Sequence, residues 1–289
     1  MSFKYDLRNL VATDIFDKVW DSFFQPKQVG FFINLLKTTK QDALNELLNL
    51  GVDFRYSGFG DFYVCDFKFK ELVTKSAVFN EGRIYLQNLS SYLSPLTLNP
   101  KTGDFVLDMC SSPGGKSIVL ANLMSGSGNL AAIEANKERF FKLKANLKNY
   151  GCEWVKTYNK DARSVAYTCA NKFDKILLDA PCSSYSLYNE NFKEKSFKEI
   201  KSIARLQKQL LNAALSALKV GGEIVYSTCT FYEEENEDVI KNALASKFEI
   251  KLEAVDFDLK SCVKNEFGVR ILPDDLMSAF FISKIKKLG

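Results

Sequence analysis

Ile176-Leu177-Leu178-Asp179-Ala180-Pro181-Cys182-Ser183 is the stretch from which the rest of the chain is read. Its apolar half has the character of a parallel strand buried in a sheet, and Pro181 stops it within a few residues. A carboxylate, a thiol and the hydroxyls of Ser183 and Ser184 stand where such a strand would open onto a crevice. Open α/β sheets bind ligands outside the carboxyl ends of their strands. This strand end is therefore a candidate site, and Cys182 is its first candidate nucleophile.

Outward from it the pattern is regular. Phe105 to Met109 predicts a strand, followed by a glycine-containing turn and a helix from about Gly115 to Met124. A strand from Leu130 to Glu134 precedes a basic helix, Lys137 to Tyr150, and strands at Trp154–Tyr158 and Phe173–Ala180 follow. Ile203, Leu206, Leu210, Leu211, Ala214, Leu215 and Leu218 line one face of a long helix, which should stop before Gly221-Gly222. A strand over Glu223–Ser227, an acidic helix start at Glu233-Glu234-Glu235 and late strands near Phe248 and Phe280 complete the unit. Alternating strands and helices predict a parallel sheet with helices on both faces. Upstream, Asp6–Phe24 reads as one or two helices, Phe31–Leu35 as a strand, Gln41–Leu50 as a helix capped by Gly51, and Phe62–Cys65 as a strand. We therefore expect a small N-terminal α+β region over residues 1–80 and a large α/β domain over residues 81–289.

With 289 residues, the chain suffices for one large domain, or for one domain and a small companion. A net charge of +4 hints only weakly at a polyanionic partner. The chain has no histidine, which excludes Cys-His and Ser-His nucleophile pairs. Its seven cysteines are scattered without a C-x-x-C pair, so neither zinc nor a disulfide framework is expected. No apolar signal core stands at Met1–Asn9 and no long uncharged apolar run follows. A reducing cytoplasm, no membrane contact and a monomer are the simplest expectations.

Asp108-Met109-Cys110-Ser111-Ser112-Pro113-Gly114-Gly115-Lys116 joins the first strand of the large domain to its helix. Glycines there let a ligand approach the backbone, and the helix start offers free N–H groups. The turn matches neither the dinucleotide fingerprint nor the P-loop. Glu134, closing the next strand, suits a ribose diol, and Asp161 an adenine edge. A nucleoside with a carboxylate tail fits these parts, S-adenosylmethionine among them. A plain α/β turn with incidental acids is the alternative.

Val106 to Lys116 resembles the cofactor signature of the RNA 5-methylcytosine methyltransferases of the NOL1/NOP2/Sun (RsmB-like) family. Asp179-Ala180-Pro181-Cys182-Ser183, Tyr226-Ser227-Thr228-Cys229-Thr230 with Glu235-Asn236-Glu237, and Gln87-Asn88-Leu89-Ser90-Ser91 extend the likeness. The resemblance implies a Rossmann-like S-adenosylmethionine-dependent fold, with the cofactor held by Cys110, Ser111, Ser112, Pro113, Gly114, Gly115, Lys116, Glu134, Asp161 and Asp179. It implies that Cys229, not Cys182, attacks carbon 6 of cytosine, that Cys182 assists release, and that Asp179 holds the protonated ring nitrogen. Lys116 is a candidate positive neighbour for the thiolate. The N-terminal unit resembles a small RNA-recognition-like domain. Serines 184 and 186 stand where the family usually has glycine, Asn88 where it has Asp, and Glu134 where it has Asp. Lys193, Lys195, Lys198, Lys201, Arg205 and Lys208 are candidates for phosphate contacts, unless they form a solvated helix face. Tyr185 and Tyr188 either stack on bases or pack under the loop. A silent RNA-binding assembly factor and a DNA cytosine methyltransferase are the rival readings, the second disfavoured by Ser183 after the Pro-Cys pair.

Overall fold

The computed structural model describes residues 3–289; Met1 and Ser2, the start of the expected N-terminal region, lie outside them. Two short helices, α1 (Phe3–Leu10) and α2 (Phe16–Asp21), open the chain. A small unit follows, made of β1 (Val29–Ile33), α3 (Lys40–Asn49), β2 (Phe54–Tyr56), β3 (Phe62–Cys65), α4 (Lys70–Lys75), α5 (Ala77–Asn80) and β4 (Ile84–Leu86). Its antiparallel sheet has the order β2-β3-β1-β4, so it draws its last strand from beyond residue 80. The three-residue strands β2 and β4 are too short to show alternation in the sequence. Both faces of the sheet are covered. Phe31, Ile33 and Tyr63 pack with Ala43 and Leu47 of α3 and Val78 of α5. Phe32, Phe62 and Val64 pack instead with Leu89 and Tyr92 of α6 (Leu89–Leu98), which Asn88 caps through the Ser90 N–H.

The large unit runs β5 (Phe105–Asp108), α7 (Gly115–Leu123), β6 (Asn129–Ile133), α8 (Lys137–Asn149), β7 (Lys156–Tyr158), α9 (Val165–Thr168), β8 (Phe173–Asp179), α10 (Phe197–Ala217) and β9 (Leu218–Thr228). It ends with α11 (Glu237–Leu244), β10 (Ile250–Glu253), β11 (Cys262–Asn265), β12 (Gly268–Ile271) and β13 (Phe280–Lys287). Strands β7-β6-β5-β8-β9 are parallel, and the strand order reverses between β5 and β8, where α/β sheets open a ligand crevice. Leu177 packs into the core on one face of the sheet, Ile176 and Leu178 into the core on the other, which accounts for the continuous apolar run.

Three expectations need correction. The sheet is mixed, because β13 pairs antiparallel with β9 and carries β12 and β10 on its far side. The connection from Ile271 to Phe280 is too short for the crossover a parallel strand needs. Nor do Gly221 and Gly222 lie just past a helix end. Helix α10 ends at Ala217 and Leu218 is already extended. The glycines sit where the β8–β9 register slips between Phe173–Leu218 and Lys175–Glu223, and a Cβ at Gly222 would stand 2.9 Å from the Asp174 carbonyl oxygen. The acidic run at Glu233 forms a turn, and α11 starts at Glu237.

Candidate active site

The ends of β5, β6, β8 and β9 meet at one edge of the sheet. After β5 the glycine turn leads into α7, whose first turn follows Gly114, at φ +115° and without a side-chain cap. A Cβ on Gly115 would lie 2.9 Å from the Tyr85 ring and hydroxyl, so only glycine lets β4 approach this closely. The turn is anchored to α8. Ser112 Oγ donates to the Arg139 carbonyl (2.9 Å), Arg139 Nη2 donates to the Ser112 carbonyl (3.0 Å), and Asn146 Nδ2 donates to that of Pro113 (2.8 Å). Asp108 is wholly buried beneath it, accepts from Ser117 Oγ at 2.6 Å, and has its Oδ1 without a partner among the described residues. Burial pushes its carboxyl up to about 6.

A cavity of about 520 Å³ opens here, lined by Cys110, Ser112, Glu134, Asp161, Asp179, Cys182, Ser184 and Cys229 among others. A chamber of about 190 Å³ adjoins it across the glycine turn, with Ser111, Pro113, Gly115 and Lys116 in its wall, and shares Cys110, Ser112 and Asp179. The residues expected to hold a cofactor therefore converge, Gly114 through its backbone turn. Glu134 is buried and accepts from the Asn136 N–H at 2.8 Å. The Arg163 guanidinium beside Asp161 holds that carboxyl below its ordinary value. Sequence reasoning did not foresee Asn136, Arg139, Arg163, Leu206 and Leu210 in the large cavity, nor Tyr85 and Ser91 in the chamber. Among the described residues no group of three or more His, Cys, Asp or Glu side chains could hold a metal ion.

The parallel register pairs Asp179 with Ser227, so the residues that follow β8 and β9 leave the sheet side by side. Cys182 Sγ lies 3.1 Å from Cys229 Sγ, and the Cys229 N–H points at Cys182 Sγ from 3.4 Å. A hydrogen bond from Cys182 lowers the Cys229 thiol below its ordinary pKa against the opposing effects of burial and Asp179, and the hydroxyls of Ser186 and Ser184 help. The same bond, with burial, raises Cys182 well above its ordinary value. Lys116 Nζ stands 2.8 Å from Asp179 Oδ2, and Ser227 Oγ donates to Asp179 Oδ1 at 2.8 Å. Burial opposes the charge on Lys116, but Asp179 outweighs it and keeps the ammonium above its ordinary pKa.

The Pro-Cys loop is held from behind. Glu235 Oε2 accepts from the Ser183 N–H (2.8 Å) and from Gln207 Nε2 (3.0 Å), which also donates to the Pro181 carbonyl (2.9 Å). Lys195 Nζ donates to the Ser183 carbonyl at 2.9 Å, so this lysine faces inward. Lys193, Lys198, Lys201 and Arg205 are exposed. Tyr185 is fully buried against Phe3, and Tyr188 packs with Phe3 and Trp20. Of the two readings offered for these tyrosines, packing under the loop is the one observed.

A Rossmann-like sheet with a crevice at its switch point is the architecture of a nucleotide-cofactor enzyme, and sequence comparison places it in a methyltransferase family. The profile described as "16S rRNA methyltransferase RsmB/F" matches residues 95–286, and the chain belongs to that family. It is 35% identical over 94% of its length to the tRNA (cytosine(49)-C(5))-methyltransferase of Pyrococcus abyssi, 92% of which it covers. It is 34% identical over 73% of its length to the tRNA (cytosine(72)-C(5))-methyltransferase of Pyrococcus horikoshii, and 32% over 91% to the human 28S rRNA (cytosine(4447)-C(5))-methyltransferase. The chain spans 54% and 35% of the lengths of these last two. A methyltransferase homologue from Pyrococcus horikoshii superimposes with a TM-score of 0.85 at 31% identity, covering 98% of this chain and 94% of that one.

Proposed function

We propose that the chain transfers a methyl group from S-adenosylmethionine to carbon 5 of a cytosine in RNA, through a covalent bond between Cys229 Sγ and carbon 6. The observation that carries this reading is the pair of sulfurs 3.1 Å apart at two adjacent strand ends, beside the Lys116–Asp179 ion pair. The relatives named for cytosine-C5 methylation of tRNA and rRNA support the substrate class. The acids suit the cofactor: Glu134 a ribose diol and Asp161 an adenine edge, while the α7 start offers N–H groups to a carboxylate tail. When bound, that cofactor supplies the electrophilic methyl group.

Cytosine carbon 5 is a poor nucleophile until carbon 6 carries a covalent substituent. Cys229 is suited to attack because its neighbours hold its charge, and the thiolate is the reactive form. Asp179 holds a proton at ring nitrogen 3, which turns the ring into an electron sink as the bond to carbon 6 forms. Lys116 holds Asp179 in place. Once carbon 5 has taken the methyl group and released its proton to water, the electron pair left on carbon 5 re-forms the 5,6 double bond and expels the Cys229 sulfur. The high-pKa Cys182 thiol donates to that sulfur as the carbon–sulfur bond breaks, which stabilises the departing thiolate. The exposed lysines and arginine around the start of α10 neutralise phosphates near the site, which offsets part of the few kcal/mol needed to unstack a base. Labelled S-adenosylmethionine and total RNA test the scheme. Cys229→Ala should yield no product, and Cys182→Ala should accumulate a protein–RNA adduct that survives denaturation. A fully active Cys229→Ala protein would overturn it.

A further inference from the structure

Ser184 has φ +62°, a left-handed conformation that disfavours any residue but glycine, Asn or Asp. The loop around it is not loose. Ser183 is clamped by Glu235, by Lys195 and by a 2.7 Å contact between its hydroxyl and Thr230 Oγ1, and the Ser186 N–H donates to the Cys229 carbonyl at 3.1 Å. A strained backbone held by its surroundings invites a functional explanation. The left-handed turn brings the Ser184 hydroxyl to the cavity wall, where its one proton is shared between the Cys182 carbonyl oxygen at 3.4 Å and Cys182 Sγ at 3.8 Å, and that sulfur lies 3.1 Å from Cys229 Sγ. In a chain without histidine, hydroxyls and a second thiol are the neutral donors within reach of that sulfur.

We propose that Ser184 is a positioning residue for the cysteine pair: its hydroxyl ends a donor chain, Ser184 to Cys182 to Cys229, that keeps negative charge on Cys229. The proposal rests on the reading of Cys229 as the attacking sulfur. Other groups face the pair from several elements: Asp179 from β8 and Glu235 from the turn before α11 oppose a thiolate, and Lys116 from α7 favours it. Buried Tyr226 of β9 stands near Cys182, and Cys110 lines the same cavity. Lys116 is already committed to Asp179, so the hydroxyl donors supply what the ion pair does not. The Ser186 hydroxyl, from the next turn of the loop, also lowers the Cys229 thiol.

The test needs neither RNA nor cofactor. The rate of alkylation by iodoacetamide is followed against pH, with the labelled cysteine identified by mass spectrometry, for wild type, Ser184→Gly and Ser184→Asn. Glycine suits the backbone at this position, so Ser184→Gly should melt at or above the wild-type temperature. Its Cys229 should nonetheless lose roughly fivefold in reactivity at neutral pH, with the reactivity midpoint moved up by about one unit from about 7. Asn tolerates the left-handed conformation and offers an N–H donor, so Ser184→Asn should recover part of the loss. An unchanged midpoint in Ser184→Gly would show that the serine is only tolerated there, and the proposal would fall. Failure of the Cys229 assignment looks different: labelling would then concentrate on Cys182 in the wild type.

Discussion

Asp108 and the cysteine pair illustrate how far single residues depend on their surroundings. Asp108 sits in the signature turn, but its carboxyl is wholly buried with one oxygen unpartnered, and its pKa rises to about 6. An unfolded Asp titrates near 3.9 (about the model-peptide value), so the folded chain binds this proton more tightly. The resulting contribution to stability is full below about pH 4 and is lost as pH rises through about 6, by roughly 3 kcal/mol. Urea denaturation of wild type and Asp108→Asn at pH 4.5 and pH 7 should show the wild type losing stability relative to the variant as pH rises. A constant difference across that range would refute the assignment. The pattern Asp-x-x-x-Ser-x-Gly-Gly-Lys is legible in the sequence. That this acid is sealed from solvent depends on α7 closing over it, with Ser117 as its partner.

At the scale of elements, the strands buried on both faces and the long amphipathic helix are the most legible parts, because apolar periodicity encodes them directly. Helix α10 begins with a capping box between Ser196 and Glu199, and β8 ends at Asp179 just before Pro181. The C-terminal strands are the least legible. Short β11 and β12 form a hairpin whose Arg270 reaches back to the start of α11, with Nε and Nη2 each 2.6 Å from an oxygen of Glu237. Glu237 is buried, and its Oε1 also accepts from Asn265. Substituting Glu237 by Gln should destabilise the protein by about 3 kcal/mol, because it leaves the Arg270 charge poorly matched in a buried setting. Equilibrium unfolding measures the loss, and hydrogen exchange should place the loosening at α11 and the β11–β12 hairpin. A loss under 1 kcal/mol (about that of an exposed pair) would mean that water, rather than Glu237, satisfies Arg270.

For the whole molecule, the arrangement of the N-terminal segments differs from the simple division expected at residue 80. Helices α1 and α2 do not join the small sheet; they build a separate aromatic cluster against the loop that follows Cys182. Phe3 is the centre of that cluster, with ring centroids 4.6 Å from Tyr185 and 5.7 Å from Phe231, and its N–H donates to Glu194. Substituting Phe3 by Ala should cost about 3 kcal/mol and speed amide exchange over residues 183–188, since the loop loses its backing. Unchanged exchange there would separate the N-terminal helices from the site. The small sheet is packed on both of its faces, against α3 and α5 on one side and α6 on the other.

By itself, the sequence determined the order of the buried strands, the glycine turn with its acids, the absence of histidine and the two Cys-containing strand ends. Each of these is local: periodicity, turn chemistry and residue type need no distant partner to be read. The tertiary structure decided that Cys182 and Cys229, 47 positions apart, stand within 3.1 Å, and that the second rather than the first carries the lowered pKa. It also turned Lys195, Tyr185 and Tyr188 inward and ran β13 antiparallel between β9 and β12. These outcomes depend on strand register and on contacts between segments far apart in the chain, for which local periodicity carries no signal.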